Sequence, residues 1–239
     1  MHSACTCLPG RKAHEIYEVT FMNKKLDNML DTIRMEARFT ASYTGRAAFD
    51  ARVMKAMQDV DRSDFVPGHY RSQAYDNGPL PIGDGQTISQ PYIVALMTDL
   101  LDVTADSVVL EVGTGSGYQA AILGKLVRQV YSVERISDLA ASSEKRLKQM
   151  GYDNIQVRCV NGYRGWQEKA PFDAIIVTAA ATRIPQELID QLRPGGRMVI
   201  PVGLPYTGQE LMLVTKNENG DTAIKSVLGV VFVPLVDDK

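Results

Sequence analysis

The stretch that most constrains the fold runs from residue 108 to residue 122, with the sequence VVLEVGTGSGYQAAI. Its first five residues are apolar and mostly β-branched, which predicts a short buried β-strand. Three glycines follow at alternate positions, Gly113, Gly115 and Gly117. Helix-forming residues then continue from Tyr118. A strand, a glycine turn and a helix together start a βαβ unit, in which the turn lets the backbone approach a ligand closely.

The spacing of these glycines distinguishes two classes of cofactor. A dinucleotide-binding turn has the spacing G-x-G-x-x-G, with the pyrophosphate at the N-terminus of the helix. This chain has G-x-G-x-G instead, and an acid, Glu111, stands two residues before the first glycine. That form resembles the S-adenosylmethionine loop of Rossmann-like methyltransferases. Since S-adenosylmethionine has no pyrophosphate, the dinucleotide spacing is not required, and we favour a methyltransferase over a dinucleotide enzyme.

The rest of the chain alternates strand and helix patterns, which predicts an α/β fold of the Rossmann-like, S-adenosylmethionine-dependent methyltransferase type. About seven strands are expected, at residues 108–112, 129–134, 155–160, 172–178, 197–201, 210–215 and 227–233. Helices are expected between them at residues 118–127, 137–150 and 185–192. The last two strands have no helix between them and should form a C-terminal antiparallel hairpin.

Upstream of this core, apolar periodicity predicts an N-terminal helical extension, with helices over residues 23–38, 49–60 and 91–101. Residues 1–22 show no period and are expected to be a disordered tail. Residues 74–91 are rich in Gly and Pro yet contain apolar side chains, which indicates a long functional loop. We therefore expect one domain over residues 23–239, with helices and a substrate-covering loop to residue 105 and the core over 106–239.

The composition excludes several classes of partner. With 45% hydrophobic residues, 23% charged residues and a net charge of −2, the chain is of ordinary globular type. No basic excess attracts nucleic acid or an anionic membrane, and no apolar run approaches the ~20 residues of a membrane span. We therefore expect a cytoplasmic protein, and we expect it to be a monomer. Cys5, Cys7 and His14 could imitate a metal cluster, but no fourth ligand is near, so no metal is expected.

Residues at the ends of the predicted strands complete the candidate cofactor site, because ligands in such sheets lie beyond the carboxyl ends of the strands. Glu134 can accept hydrogen bonds from two ribose hydroxyls; a surface charge paired with Arg135 is the alternative. Asn161 stands where an adenine amino group would lie. The predicted cofactor-binding residues are Glu111, Gly113, Thr114, Gly115, Ser116, Gly117, Glu134, Asn161, Gly162 and Thr178.

Several longer motifs carry a family resemblance over about residues 50–236. They are PLPIGDGQTISQP from Pro79, the glycine loop, APFDAIIVTAAA from Ala170, LRPGGR from Leu192 and FVPL from Phe232. Together they resemble the protein-L-isoaspartate O-methyltransferase family. The resemblance implies methyl transfer from S-adenosyl-L-methionine to the α-carboxylate of L-isoaspartyl residues in damaged proteins, which leaves S-adenosyl-L-homocysteine. The methyl ester then collapses to a succinimide, which starts repair.

The resemblance also implies an active-site role for Ser89, within a substrate-binding stretch of Thr87, Ile88 and Ser89. The reaction suits a hydroxyl donor, because a carboxylate with an ordinary pKa of ~3.9 is already ionised at pH 7 and needs no general base. Ser89 could hold one carboxylate oxygen while the other attacks. The alternative role for Ser89 is to cap the helix that starts at Pro91.

One position departs from the family pattern. The family usually has Gly-Asp-Gly where this chain has Val160-Asn161-Gly162, which predicts a weaker adenine contact. Two alternatives follow for the function: a catalytically weak family member that only binds S-adenosylmethionine, or an O-methyltransferase for one dedicated peptide. The presence of Ser89, Glu111 and Glu134 argues against a member that only binds the cofactor. A methyl-transfer assay with an isoaspartyl peptide would distinguish all three functions.

Overall fold

The computed structural model describes residues 10–204 and 208–236, with side chains from residue 24 onward. The helices in this part are α1 (Gly10–Thr44), α2 (Ala51–Asp59), α3 (Pro91–Leu100), α4 (Tyr118–Gly124), α5 (Ser137–Gln149) and α6 (Gln186–Asp190). The strands are β1 (Leu80–Gly83), β2 (Gln86–Ile88), β3 (Val108–Val112), β4 (Gln129–Glu134), β5 (Ile155–Cys159), β6 (Phe172–Val177), β7 (Leu192–Val202), β8 (Gln209–Lys216) and β9 (Thr222–Val230).

Seven strands form one sheet in the order β5-β4-β3-β6-β7-β8-β9. Strands β3 to β7 are parallel to one another, while β8 is antiparallel to both β7 and β9. This confirms the Rossmann-like fold and the C-terminal antiparallel hairpin. The strand order reverses between β3 and β6, and ligands of such sheets lie outside the strands at this switch point.

The sheet has a hydrophobic core on each face. Adjacent residues of a strand point to opposite faces, so Val109 packs into one core while Leu110 packs into the other. On the first face, every residue of α3 is buried, and Pro91 occupies its first turn, where a missing N–H does no harm. No helix among residues 10–204 and 208–236 is long and apolar enough to cross a membrane.

Helix α1 starts earlier than predicted, at Gly10 instead of residue 23. The prediction of a disordered tail is therefore wrong from residue 10 onward, and residues 1–9 lie outside the described part. No Gly or Pro interrupts the chain between Gly10 and Gly45, so nothing in the sequence stops a helix there. Gly45, at φ 73°, ends it, and its N–H donates to the Ala41 carbonyl at 2.9 Å.

The predicted long loop over residues 74–91 contains an antiparallel hairpin, β1–β2. The expectation that this stretch forms no strand is therefore wrong. Pro81 argues against a central strand, but proline is tolerated in an edge strand of this kind. Asp84 and Gly85 form the connection, both with positive φ (51° and 69°), which is the turn chemistry that tight hairpins prefer.

Candidate active site

A cavity of about 270 Å³ opens beyond the carboxyl ends of β3, β4 and β6. We call it the cofactor chamber. Its position is the switch point of the sheet, where sequence analysis placed the ligand. The structure brings ten predicted site residues together on its wall: Thr87, Ile88, Ser89, Gly113, Thr114, Gly115, Ser116, Glu134, Gly162 and Thr178.

Gly113 shows why the first loop position must be glycine. Its φ is 100°, a conformation that side-chain-bearing residues rarely adopt. A Cβ atom here would also overlap with Oγ1 of Thr178. That hydroxyl donates a hydrogen bond to the Gly113 carbonyl at 2.6 Å. The loop after β3 is therefore fastened directly to the end of β6, and the fastening leaves no room for a side chain.

Glu134 lies at the end of β4 and is only 8% exposed, so the surface-charge alternative is wrong. One carboxylate oxygen accepts from the Gly115 N–H at 2.8 Å, and the other accepts from the Ile136 N–H at 2.9 Å. Each oxygen keeps a second lone pair. The carboxylate therefore links the loop to β4 and can still accept from two hydroxyls of a ribose.

Glu111 is fully buried beneath the glycine loop and does not line the chamber. It accepts a hydrogen bond from the Ser132 hydroxyl, which lies 2.6 Å from the Thr114 hydroxyl. Burial raises the pKa of Glu111 to about 8, against the weaker opposing effect of the Ser132 hydrogen bond. Glu111 therefore supports the glycine loop from below, through Ser132 and Thr114. Gly117 is also off the wall; it precedes α4 at φ 87°.

Asn161 stands beside the chamber, and its neighbour Gly162 forms part of the wall. The Asn161 side-chain oxygen accepts from the Tyr163 N–H at 2.9 Å and so caps a short 3-10 turn over Gly162–Arg164. At least one acceptor of this side chain is therefore engaged by the protein itself, a role that the sequence pattern did not reveal.

Ser89 is half-buried and follows directly after β2. The residue at the N-cap of α3 is Gln90, and no side chain caps that helix, so the capping role predicted as the alternative for Ser89 is wrong. Among the hydrogen bonds of the described residues, none involves the Ser89 hydroxyl. The hydroxyl is therefore available to a ligand.

A second cavity of about 560 Å³ adjoins the first, and we call it the acceptor chamber. The two chambers share Thr87, Ser89, Thr178 and Val233. The acceptor chamber is lined by α1, by the start of α3, and by β8, β9 and the chain after them. Ser89 thus stands where a group in one chamber meets a group in the other.

The chain after β9 is a functional segment that the site prediction missed, although FVPL was among the motifs. Residues 233–236 line the cofactor chamber. Ala180 holds them in place: its N–H donates to the Val233 carbonyl, and its carbonyl accepts from the Leu235 N–H, both at 2.8 Å. The Gln209 amide donates to the Phe232 carbonyl and accepts from the Phe232 N–H. These contacts join residues far apart in the chain, so no local pattern indicates them.

These features define a class of protein. A glycine loop after β3, a buried acid at the end of β4 and an adjoining acceptor chamber are the parts of an S-adenosylmethionine-dependent methyltransferase with a Rossmann-like fold. No set of three His, Cys, Asp or Glu residues in the described part is arranged to hold a metal ion.

Comparison with known proteins identifies the family. The sequence model of the protein-L-isoaspartate(D-aspartate) O-methyltransferase family matches residues 37–239. The chain therefore belongs to that family. This match starts at residue 37, whereas the motifs in the sequence indicated the resemblance only from about residue 50. Protein-L-isoaspartate O-methyltransferase 2 of Syntrophobacter fumaroxidans is 59% identical over 207 residues, covering 87% of this chain and 84% of the relative. The enzyme of the same name from Nitrosococcus oceani is 58% identical, covering 87% and 94%.

A solved structure agrees with this assignment. A putative protein-L-isoaspartate O-methyltransferase from Plasmodium falciparum, in complex with S-adenosyl-L-homocysteine, superposes with a TM-score of 0.74 at 27% identity. The superposition covers 88% of this chain and 98% of that chain. The cofactor of this chain is accordingly S-adenosyl-L-methionine, and the chain is a carboxyl O-methyltransferase.

Proposed function

We propose that this chain methylates the α-carboxylate of L-isoaspartyl residues in damaged proteins and so starts their repair through a succinimide. The observation that carries the proposal is the position of Ser89, with its available hydroxyl, at the junction of the two chambers. Family membership supports the same reaction. The relatives quoted above carry that activity in their names, which favours it over a binding-only role or a single dedicated peptide.

The residues of the cofactor chamber fit S-adenosylmethionine. We assign the ribose to Glu134, the amino-acid end to the loop residues Gly113, Thr114, Gly115 and Ser116, and the adenine to Gly162 and Asn161. Thr178 and Glu111 hold the loop in shape from opposite sides. When bound, the cofactor supplies a methyl group on a positively charged sulfur atom.

The acceptor side needs alignment more than acid–base chemistry. Ser89 would donate a hydrogen bond from its hydroxyl to one carboxylate oxygen, which leaves the other oxygen directed at the methyl carbon. The neighbouring Thr87 and Ile88 complete the substrate-binding stretch, and Ile88 is buried. No general base is required, because the acceptor carboxylate is ionised at pH 7 with an ordinary pKa of ~3.9.

The test is a methyl-transfer assay with two isomeric peptides. The purified protein and labelled S-adenosylmethionine are mixed with a peptide that contains L-isoaspartate or with the matched L-aspartyl peptide. We expect methyl ester on the isoaspartyl peptide and none on its isomer. Equal rates on both peptides would contradict the proposal, and cofactor binding without any transfer would support the binding-only alternative.

We also propose that the protein acts as a monomer in the cytoplasm, on proteins and not on nucleic acid or membranes. The net charge of −2 supports the lack of a polyanionic partner. To test the oligomeric state, sedimentation at micromolar concentration should give the mass of one chain. To test the lack of a nucleic-acid partner, the protein is passed over a DNA column at moderate salt, and retention there would contradict the proposal.

A further inference from the structure

The acceptor chamber continues beyond the reacting groups. It shares Glu210, Leu228 and Gly229 with a further crevice that reaches Ser42 and Tyr43 at the end of α1. An open passage therefore runs from Ser89 between α1 and the β8–β9 hairpin. We call this passage the flank groove; its lining includes Glu36, Thr40, Tyr43, Glu210, Leu228 and Gly229.

The flank groove is negatively charged. The Glu36 carboxylate is half-buried and accepts from the Asn77 amide at 2.5 Å, while the exposed Glu210 accepts from the Ser226 hydroxyl at 2.7 Å. Neither carboxylate forms an ion pair with a residue in the described part of the chain. The described residues that line the two crevices include no Lys, Arg or His. The charge of the two carboxylates is thus left for a ligand to compensate.

The rim of the groove suits an unfolded polypeptide. Tyr43 is 68% exposed and Val231 is 93% exposed, so each offers apolar surface without the need for a conformational change. Strand β9 is also the last strand of the sheet, and exposed edges of this kind can pair with an extended chain. Contacts of both types are independent of sequence, whereas the two carboxylates select by charge.

We propose that the flank groove binds the polypeptide next to the isoaspartyl residue, and that Glu36 and Glu210 make the enzyme favour lysine or arginine over aspartate or glutamate there. The occupant is a flexible segment of a damaged protein. The inference rests on the proposed function, because the groove is continuous with the acceptor chamber. It names a preference among isoaspartyl substrates that the chemistry at Ser89 does not supply.

The test uses three isoaspartyl peptides that differ only in their flanking residues, with Lys, Gln or Glu at the same positions. At low salt we expect KM to rise in the order Lys, Gln, Glu, with the extremes differing about threefold to tenfold, as for partly exposed charge pairs. Added salt should shrink this span, because it screens exposed charges. The double variant Glu36→Gln/Glu210→Gln should bring the three KM values together.

A matched variant controls for the change in net charge. The double variant Glu168→Gln/Glu187→Gln removes the same two negative charges at exposed positions outside the groove, and it should keep the order and the span of the wild type. Failure to methylate even the Gln peptide would overturn the proposed function. If all peptides are methylated but the span is absent, or survives unchanged in Glu36→Gln/Glu210→Gln, the groove inference is wrong and the proposed function stands.

Discussion

The cofactor chamber and the flank groove are built in different ways. The wall of the cofactor chamber comes from turns directly after neighbouring parallel strands. Hydrogen bonds fasten these turns, fully buried between Thr114 and Ser132 and partly buried between Thr178 and Gly113 or Glu134 and Gly115. The walls of the flank groove come from α1 and the β8–β9 hairpin, and their polar contacts are half-buried or exposed, as between Glu36 and Asn77.

The difference matches what each region must bind. One cofactor always has the same shape, so a wall whose turns are fixed to one another by hydrogen bonds loses nothing by being rigid. Damaged proteins present many different chains around the isoaspartyl residue, and exposed side chains can serve all of them. We therefore expect substitutions in the two regions to separate cofactor affinity from substrate recognition.

The largest effect is expected for Gly113→Ala. The new Cβ would overlap with the Thr178 hydroxyl, and φ is 100°. Overpacking of about 1–3 kcal/mol adds to a backbone penalty of roughly 1–2 kcal/mol. We predict a fall of roughly a hundredfold in S-adenosylhomocysteine affinity by calorimetry, since 1.4 kcal/mol corresponds to about tenfold.

Gly83→Ala is the matched control for Gly113→Ala. Gly83 has nearly the same φ, 103°, but a Cβ there meets no atom within 4 Å. Gly83 lies in the β1–β2 hairpin, on the side of the acceptor chamber. The affinity for S-adenosylhomocysteine should therefore change less than about twofold. If both variants lose affinity equally, backbone strain alone explains the result and the fastening to Thr178 is unimportant.

The next largest effect is expected for Ser89→Ala. Loss of a hydrogen bond to a charged group suggests ~1.5–3 kcal/mol, or a fall in kcat of roughly tenfold to a hundredfold. Cofactor affinity and melting temperature should hold, because Ser89 neither caps α3 nor bonds to another described side chain. Ser89→Thr keeps the hydroxyl and should recover part of the rate. A lower melting temperature at unchanged kcat would instead make Ser89 a structural residue.

Glu111→Gln should alter the pH dependence of stability. The pKa of Glu111 is about 8 in the fold, above the ordinary value of 4.5, so the folded state binds more protons between these limits. Its stabilising effect is complete below about pH 4.5 and is lost as pH rises toward 8. One pKa unit corresponds to about 1.4 kcal/mol, so we predict that the wild type loses on the order of 5 kcal/mol of unfolding free energy across this range and the variant much less.

Glu144→Gln is the control for that pH profile, because this residue on α5, with 43% of its side chain exposed, pairs with Lys148 at the surface. Chemical denaturation between pH 5 and pH 9 measures all three proteins. A wild-type slope that remains in Glu111→Gln would assign the pH dependence to another group.

The smallest effect is expected for Asn161→Asp. One oxygen of the new carboxylate can keep the cap on the Tyr163 N–H, and the other can accept from the adenine amino group. A charged acceptor adds ~1 kcal/mol over a neutral one, which is about fivefold tighter cofactor binding. Turnover at saturation should change little. Weaker binding by the variant would mean that the surrounding chain requires asparagine.

Local patterns were sufficient to predict the core of the fold. The bounds of β3 and β4 agree with the prediction residue by residue, because β-branched runs bounded by turns are local signals. The hairpin β1–β2 was not predicted, because Pro81 and the glycines around it obscured two very short strands. The full length of α1 was missed because its first residues lack an apolar period.

The site was predictable where a residue stands at the end of a strand, and less so elsewhere. Thr178 and Glu134 line the chamber as expected, whereas Glu111 lies one layer below it. The position of residues 233–236 depends on their pairing with Ala180, and the role of Glu36 depends on how α1 crosses the hairpin. Contacts of this kind join distant parts of the chain, so local sequence patterns do not predict them.

Hydrogen exchange followed by mass spectrometry would show whether cofactor and substrate occupy separately built regions of the protein. Addition of S-adenosylhomocysteine should slow exchange in residues 113–117 and 134–136. Subsequent addition of an isoaspartyl peptide, and not of its aspartyl isomer, should slow exchange in residues 86–90 and 226–233. Protection of both regions by the cofactor alone, or of neither acceptor segment by the isoaspartyl peptide, would contradict the account.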